Sequence, residues 1–151
     1  MPGAYANVMF CLLVVGAGIS VALQQVLNTN LRTELGSPWW AGFISYLVGT
    51  VVMLAIATTS SQPWLSPAMI ARTSAISWAG GIFGTIFIGT AILMVPRLGA
   101  ATVLALIVVG QMIASLAFDH FGVFGIPQHS ATPVRLAGAA LLVLGVTLVR
   151  F

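Results

Sequence analysis

No lysine occurs in this chain, and Glu34 and Asp119 carry its only side-chain carboxylates. Five arginines (Arg32, Arg72, Arg97, Arg135 and Arg150) bring the formal net charge to +3, but they are scattered singly. A nucleic-acid surface needs a clustered basic patch, so that class of partner is excluded. Charged residues make up 5% of the sequence and hydrophobic residues 60%, against about 25% and about 45–50% in soluble domains. A water-soluble fold is excluded on the same grounds. Cys11 is the single cysteine, so no internal disulfide can form, and its apolar surroundings fit a small buried hydrophobe. The sequence also lacks a nucleophile–base pair, an HExxH motif and a phosphate-binding loop, which argues against an enzyme and against a bound cofactor. His120 and His129, taken with Asp119, match no zinc-ligand spacing, and no metal site is expected.

What is present is a succession of long apolar runs. A bilayer crossing takes roughly 20 apolar residues, so the 151 residues hold several spans with short connections and no separate domain. The expectation is an all-α, polytopic membrane protein, one domain over residues 1–151, with five transmembrane helices near 7–31, 39–59, 74–95, 98–121 and 133–149. The first run lacks a basic leading region and outlasts a signal peptide, so it is read as a retained first helix.

Polar and small residues fall on defined faces of these helices. In the first, Ser20, Gln24 and Asn28 recur every four residues, and the row extends back to Gly16 and on to Arg32. Trp39 and Trp40 open the second helix, where an interfacial belt is their ordinary place; further in, Gly42, Tyr46 and Gly49 share a face. The third carries Gly80 and Gly84 as a small-xxx-small pair, with Gly81, Thr85 and Gly89 one residue around. Pro96 is expected to end it, since the ring and missing N–H oppose continuation. The fourth presents Gln111, Ser115 and Asp119 at i, i+4, i+8. Asp119 sits near the helix end, as the acid of a proton step or as an interfacial acid that is paired with an arginine or hydrated. In the fifth, Gly138 and Gly145 make a bare strip suited to helix packing. Amide rows of this kind either line a solute path or merely join helices by hydrogen bonds.

Arginine placement gives little orientation preference. With five spans, Arg72 and Arg135 face one side and Arg32, Arg97 and Arg150 the other, and topology follows such asymmetry in short loops. A chain that inserts both ways can pair with its own inverted copy, giving a ten-helix antiparallel homodimer with the plan of an inverted-repeat transporter.

Several motifs together resemble a known group: Gln24, Gln25 and Asn28; the Phe43-x-Ser45-x-Leu47-Val48-Gly49-Thr50 run; Gly81-x-x-Gly84; Leu98-Gly99-Ala100-Ala101-Thr102, then Gly110-Gln111 and Asp119-His120-Phe121-Gly122. In order and spacing the chain is similar to the five-helix, YdcZ-like branch of the drug/metabolite transporter superfamily, related to the small multidrug resistance exporters. The resemblance covers nearly the whole chain. It implies a multi-pass inner-membrane protein of the exporter type, found as antiparallel dimers, paired homologues or fused genes. The Gly138-to-Val146 segment resembles the terminal-helix pattern that mediates dimer contact in the small multidrug resistance group. Those exporters carry a first-helix glutamate for proton and cation, whereas this first helix offers Gln24, Gln25 and Asn28.

The expected function is therefore a small secondary transporter working by alternating access. Ser20, Gln24, Asn28, Tyr46, Gly81, Thr85, Gln111 and Ser115 would meet a small-molecule solute, neutral or zwitterionic. Asp119 is the candidate for proton coupling, and Gly80, Gly84, Gly89, Gly138 and Gly145 for helix and dimer packing. The partners are the lipid bilayer, the solute and a second inverted copy. Two alternatives stand beside it: a passive dual-topology channel, and a membrane assembly protein that transports nothing.

Overall fold

The computed structural model describes the backbone of residues 2–150 and the side chains of residues 8–149. The side chain of Arg150, which entered the charge comparison, and Met1 lie outside the described residues. Among the described residues all regular structure is helical: α1 (Pro2–Leu35), α2 (Pro38–Thr59), a short α3 (Pro67–Ala71), a 3-10 turn (Ala75–Ala79), α4 (Gly80–Leu98), α5 (Ala100–Phe121), a second 3-10 turn (Val123–Gly125) and α6 (Pro133–Arg150). Four segments are long and apolar enough to cross a bilayer, namely Val8–Leu35, Pro38–Thr59, Ala75–Leu98 and Ala100–Phe121. With 18 residues, α6 is shorter; at 1.5 Å per residue it reaches about 27 Å, just under a hydrocarbon core of about 30 Å. The chain forms two compact units, Met1–Pro96 and Arg97–Phe151.

In the first unit α2 meets α4 through small residues. Ala41 is fully buried, packed with Ile88 and Ile92 and flanked by Leu31 and Phe87. Gly42 lies in the same seam, where an added methyl would touch Ile92 Cδ1 at 3.6 Å. Large side chains such as Val14, Ile19 and Phe83 point outward instead, which suits lipid, since acyl chains are as apolar as leucine.

The sequence accounts for most of the boundaries in this unit. The Ser37 hydroxyl accepts from the Trp40 N–H and Pro38 stands at the first helical position, so α2 begins with its orphan donors partly satisfied. Ser66 and Pro67 repeat that entry and start α3, a turn of helix between the second and third expected spans. The first helix continues to Leu35, beyond residue 31, and its last turns carry two side-chain hydrogen bonds. Thr33 Oγ1 donates to Thr29 O at 3.1 Å and Asn30 Nδ2 to Glu34 Oε1 at 2.8 Å. Pro96 does not end α4, which runs on to Leu98. A proline in the last turn removes a single ladder donor, and the true stop is Gly99 at φ +81, a conformation that glycine adopts without strain.

In the second unit, α5 and α6 follow the expected spans to within two residues. Gly122, left-handed at φ +60, closes α5, its N–H donating to Phe118 O. The Thr132 hydroxyl accepts from the Arg135 N–H and Pro133 opens α6. Leu116 and Val146 are buried.

Candidate functional site

The most unusual chemistry lies on α1. Gln25 is completely buried, and neither Oε1 nor Nε2 has a hydrogen-bond partner; Asn28, 4% exposed, leaves Nδ2 unpaired. Each buried polar group left this way costs about 1–3 kcal/mol, so native structures keep few of them. Arg32 shares this face: at seven residues it stands about 20° from Gln25 around the axis, with Asn28 nearby. Its Nη1 donates to the Ile92 backbone carbonyl of α4 at 2.8 Å.

Of the row expected on the first helix, then, Asn28 is sealed while Gln24 lines an open groove between α1 and α2. That groove holds about 690 Å³ and is bordered by Ser45, Tyr46, Gly49 and Thr50. Ser20 is exposed. Gln25 was not among the expected site residues. The 25–28–32 spacing, three then four, is the signal that would have found it.

Tyr46 borders a second cavity as well, of about 220 Å³ between α2 and α4, together with Trp39, Gly42, Phe43, Thr85 and Gly89. Two expected pathway residues, Tyr46 and Thr85, thus meet in one pocket. Thr85 Oγ1 spends its proton on Gly81 O at 2.9 Å, which leaves the hydroxyl oxygen able to accept from a solute. The missing side chain of Gly84 makes room for Tyr46, since a methyl added there would lie 2.8 Å from its hydroxyl oxygen. A methyl at Gly89 would touch the Trp39 ring at 3.5 Å. Trp39 therefore lines the cavity, whereas Trp40 stacks edge-to-face on Phe43. Gly80 and Gly81 face open space.

In the second unit, the polar groups at the end of α5 are tied down. Arg135 Nη2 donates to Asp119 Oδ2, and its Nη1 reaches His129 O at 3.0 Å. The His129 N–H in turn donates to Asp119 O at 2.9 Å. His120 is held likewise: Gln128 Nε2 donates to its carbonyl at 2.6 Å, and the Ala131 N–H to its Nδ1 at 3.3 Å. Asp119 is thus paired with an arginine at the end of α5. Gln111 and Ser115 are exposed on α5, with no side-chain hydrogen bond among the described residues. Gly138 and Gly145 face open space and border an apolar groove of about 450 Å³ between α5 and α6, opposite Ala105 and Val108.

Comparison with known proteins agrees with this architecture. Residues 9–148 match the family described as "Putative inner membrane exporter, YdcZ". The chain is 28% identical over 141 residues to "Inner membrane protein YdcZ" of Escherichia coli (strain K12), covering 89% of this chain and 90% of that protein. No solved structure matches.

Proposed function

This chain belongs to the YdcZ family of exporter-type membrane proteins and is a multi-pass protein of the bacterial inner membrane; on that premise we propose that it is a secondary transporter, built from five spans per chain and working by alternating access as an antiparallel homodimer. The observation that carries the reading is the sealed, unpaired pair of amides at Gln25 and Asn28. A protein that only needed to join its helices would have given those atoms partners. A transporter has a use for them, because a conformation open to water or solute satisfies what the closed one leaves unmet.

The substrate class follows from the donors and acceptors. Gln25 supplies one of each, Asn28 a further donor, and the Tyr46–Thr85 pocket hydroxyl oxygens between two aromatic walls. Donors and acceptors without a free charge favour a small neutral or zwitterionic solute. A lipophilic cation is less favoured, since no carboxylate stands among the described residues that line this pocket. Asp119 is engaged by Arg135 and takes a structural part in this scheme.

Two features support the dimer: the near-balanced arginines, which leave insertion without a strong bias, and the open groove bordered by Gly138 and Gly145, where a second α6 would find the close approach that small residues permit. The test is flux in proteoliposomes with a panel of labelled polyols, sugars and amino acids. Saturable uptake of at least one, lost in Asn28→Leu, is expected. Uptake that never saturates and exceeds the rate of microsecond-to-millisecond cycling would favour the passive channel. No uptake at all, together with weakened dimers in Asn28→Leu, would favour an assembly protein.

A further inference from the structure

Within α4 the N–H of residue 96 would ordinarily bond to the carbonyl of residue 92, four positions back. Residue 96 is proline, and that donor does not exist. The carbonyl it leaves orphaned, Ile92 O, belongs to a fully buried residue and accepts instead from Arg32 Nη1 of α1 at 2.8 Å. Among the described residues Arg32 pairs with no carboxylate; Glu34 is taken by Asn30, and Asp119 by Arg135.

We infer that Arg32 is the replacement for the peptide N–H that Pro96 lacks, so that these two residues, far apart in sequence, act as one latch holding α4 against α1. A charge-assisted bond to an otherwise unpaired buried carbonyl is stronger than the ladder bond it replaces. It also differs from a ladder bond in kind. A backbone bond is broken only by unwinding the helix, whereas this one breaks when a side chain turns away, and water can take its place without loss of helix. Arg32 is a positioning residue in this arrangement. It joins the helix carrying Gln25 and Asn28 to the helix whose Thr85 and Gly89 border the α2–α4 cavity, and the sealed form keeps the latch made. The inference rests on the geometry of residues 32, 92 and 96, and stands or falls independently of the transport reading.

The test is a double-mutant cycle on the full-length protein in detergent micelles, read by equilibrium unfolding. Arg32→Leu should lower the folded-to-unfolded ratio by about 10- to 100-fold. Pro96→Ala supplies the missing N–H, so in that background Arg32→Leu should cost less than about threefold. A second measurement reports on the bond itself and does not need the weakest variant to survive. Ile92–Leu93 is the sole Ile–Leu pair in the sequence, so labelling Ile with 13C at the carbonyl and Leu with 15N isolates the Ile92 carbonyl resonance. It should move on Arg32→Gln, stay near its original place in Arg32→Lys, which keeps a cationic donor, and become insensitive to residue 32 once Pro96→Ala is present. Equal losses from Arg32→Leu in the two backgrounds, or an Ile92 carbonyl signal indifferent to residue 32 beside the native proline, would overturn the inference.

Discussion

At the turn between α5 and α6, Asp119, Arg135, His120 and Gln128 all find hydrogen-bond partners although they are half-buried or exposed. On α1, Gln25 and Asn28 are far more deeply buried, and three of their side-chain atoms find none. Water could have satisfied the first set at little cost, yet the chain pairs it. The second set is where pairing is worth most, and the chain leaves it unmade. Stability alone would produce the reverse distribution. The α5–α6 turn is therefore read as architecture, fixing how α6 returns along α5. The α1 face is read as a place where folding free energy is given up for an interaction outside the closed form.

Substitutions can break that comparison or sharpen it. The largest effect belongs to Gly84, where a methyl would meet the Tyr46 hydroxyl oxygen at 2.8 Å and a larger side chain must push that ring aside. Gly84→Leu should destabilise the first unit by about 3 kcal/mol, the upper end for an overpacked site, as measured by unfolding in mixed micelles. Gly80→Leu, in open space, should be nearly silent there. The Asp119–Arg135 pair comes next. Both side chains are about a third exposed, so Asp119→Asn and Arg135→Gln should each cost about 1 kcal/mol or less and be non-additive together, with flux retained. Flux lost in Asp119→Asn at unchanged stability would restore the proton-coupling reading and weaken the contrast. Smallest on stability is Gln111→Leu: an exposed, unpaired side chain should shift unfolding by no more than about 0.5 kcal/mol. A fall in flux in that variant would extend the solute path to α5.

The long helices were legible because twenty-residue apolar runs admit no other structure in a bilayer. Gly99, Gly122, and the Ser-Pro or Thr-Pro entries at residues 37, 66 and 132 mark the ends by their own chemistry, and Ser66-Pro67 announces α3 in the same way. The site was only half legible. Gln24 and Gln25 are neighbours about 100° apart on the helix, and choosing between them requires knowing which face turns inward. In a soluble helix the apolar stripe answers that. Here every face is apolar, so the four-residue Ser20–Gln24–Asn28 row drew attention while the sealed face lay beside it. The run of α4 through Pro96 was hidden for a related reason. Local rules see the missing N–H, but the guanidinium at the freed carbonyl comes from another helix.

The account turns on whether the unpaired amides of α1 are kept for solute, and Gln25→Leu measures this most directly when unfolding and proteoliposome flux are taken on the same preparation. Removing two buried unpaired groups with near-conservation of shape should raise stability by about 1–3 kcal/mol while flux of whichever polyol, sugar or amino acid the native protein carries falls by at least about tenfold. A Gln25→Leu protein that is less stable than the native one and transports at the native rate would contradict it.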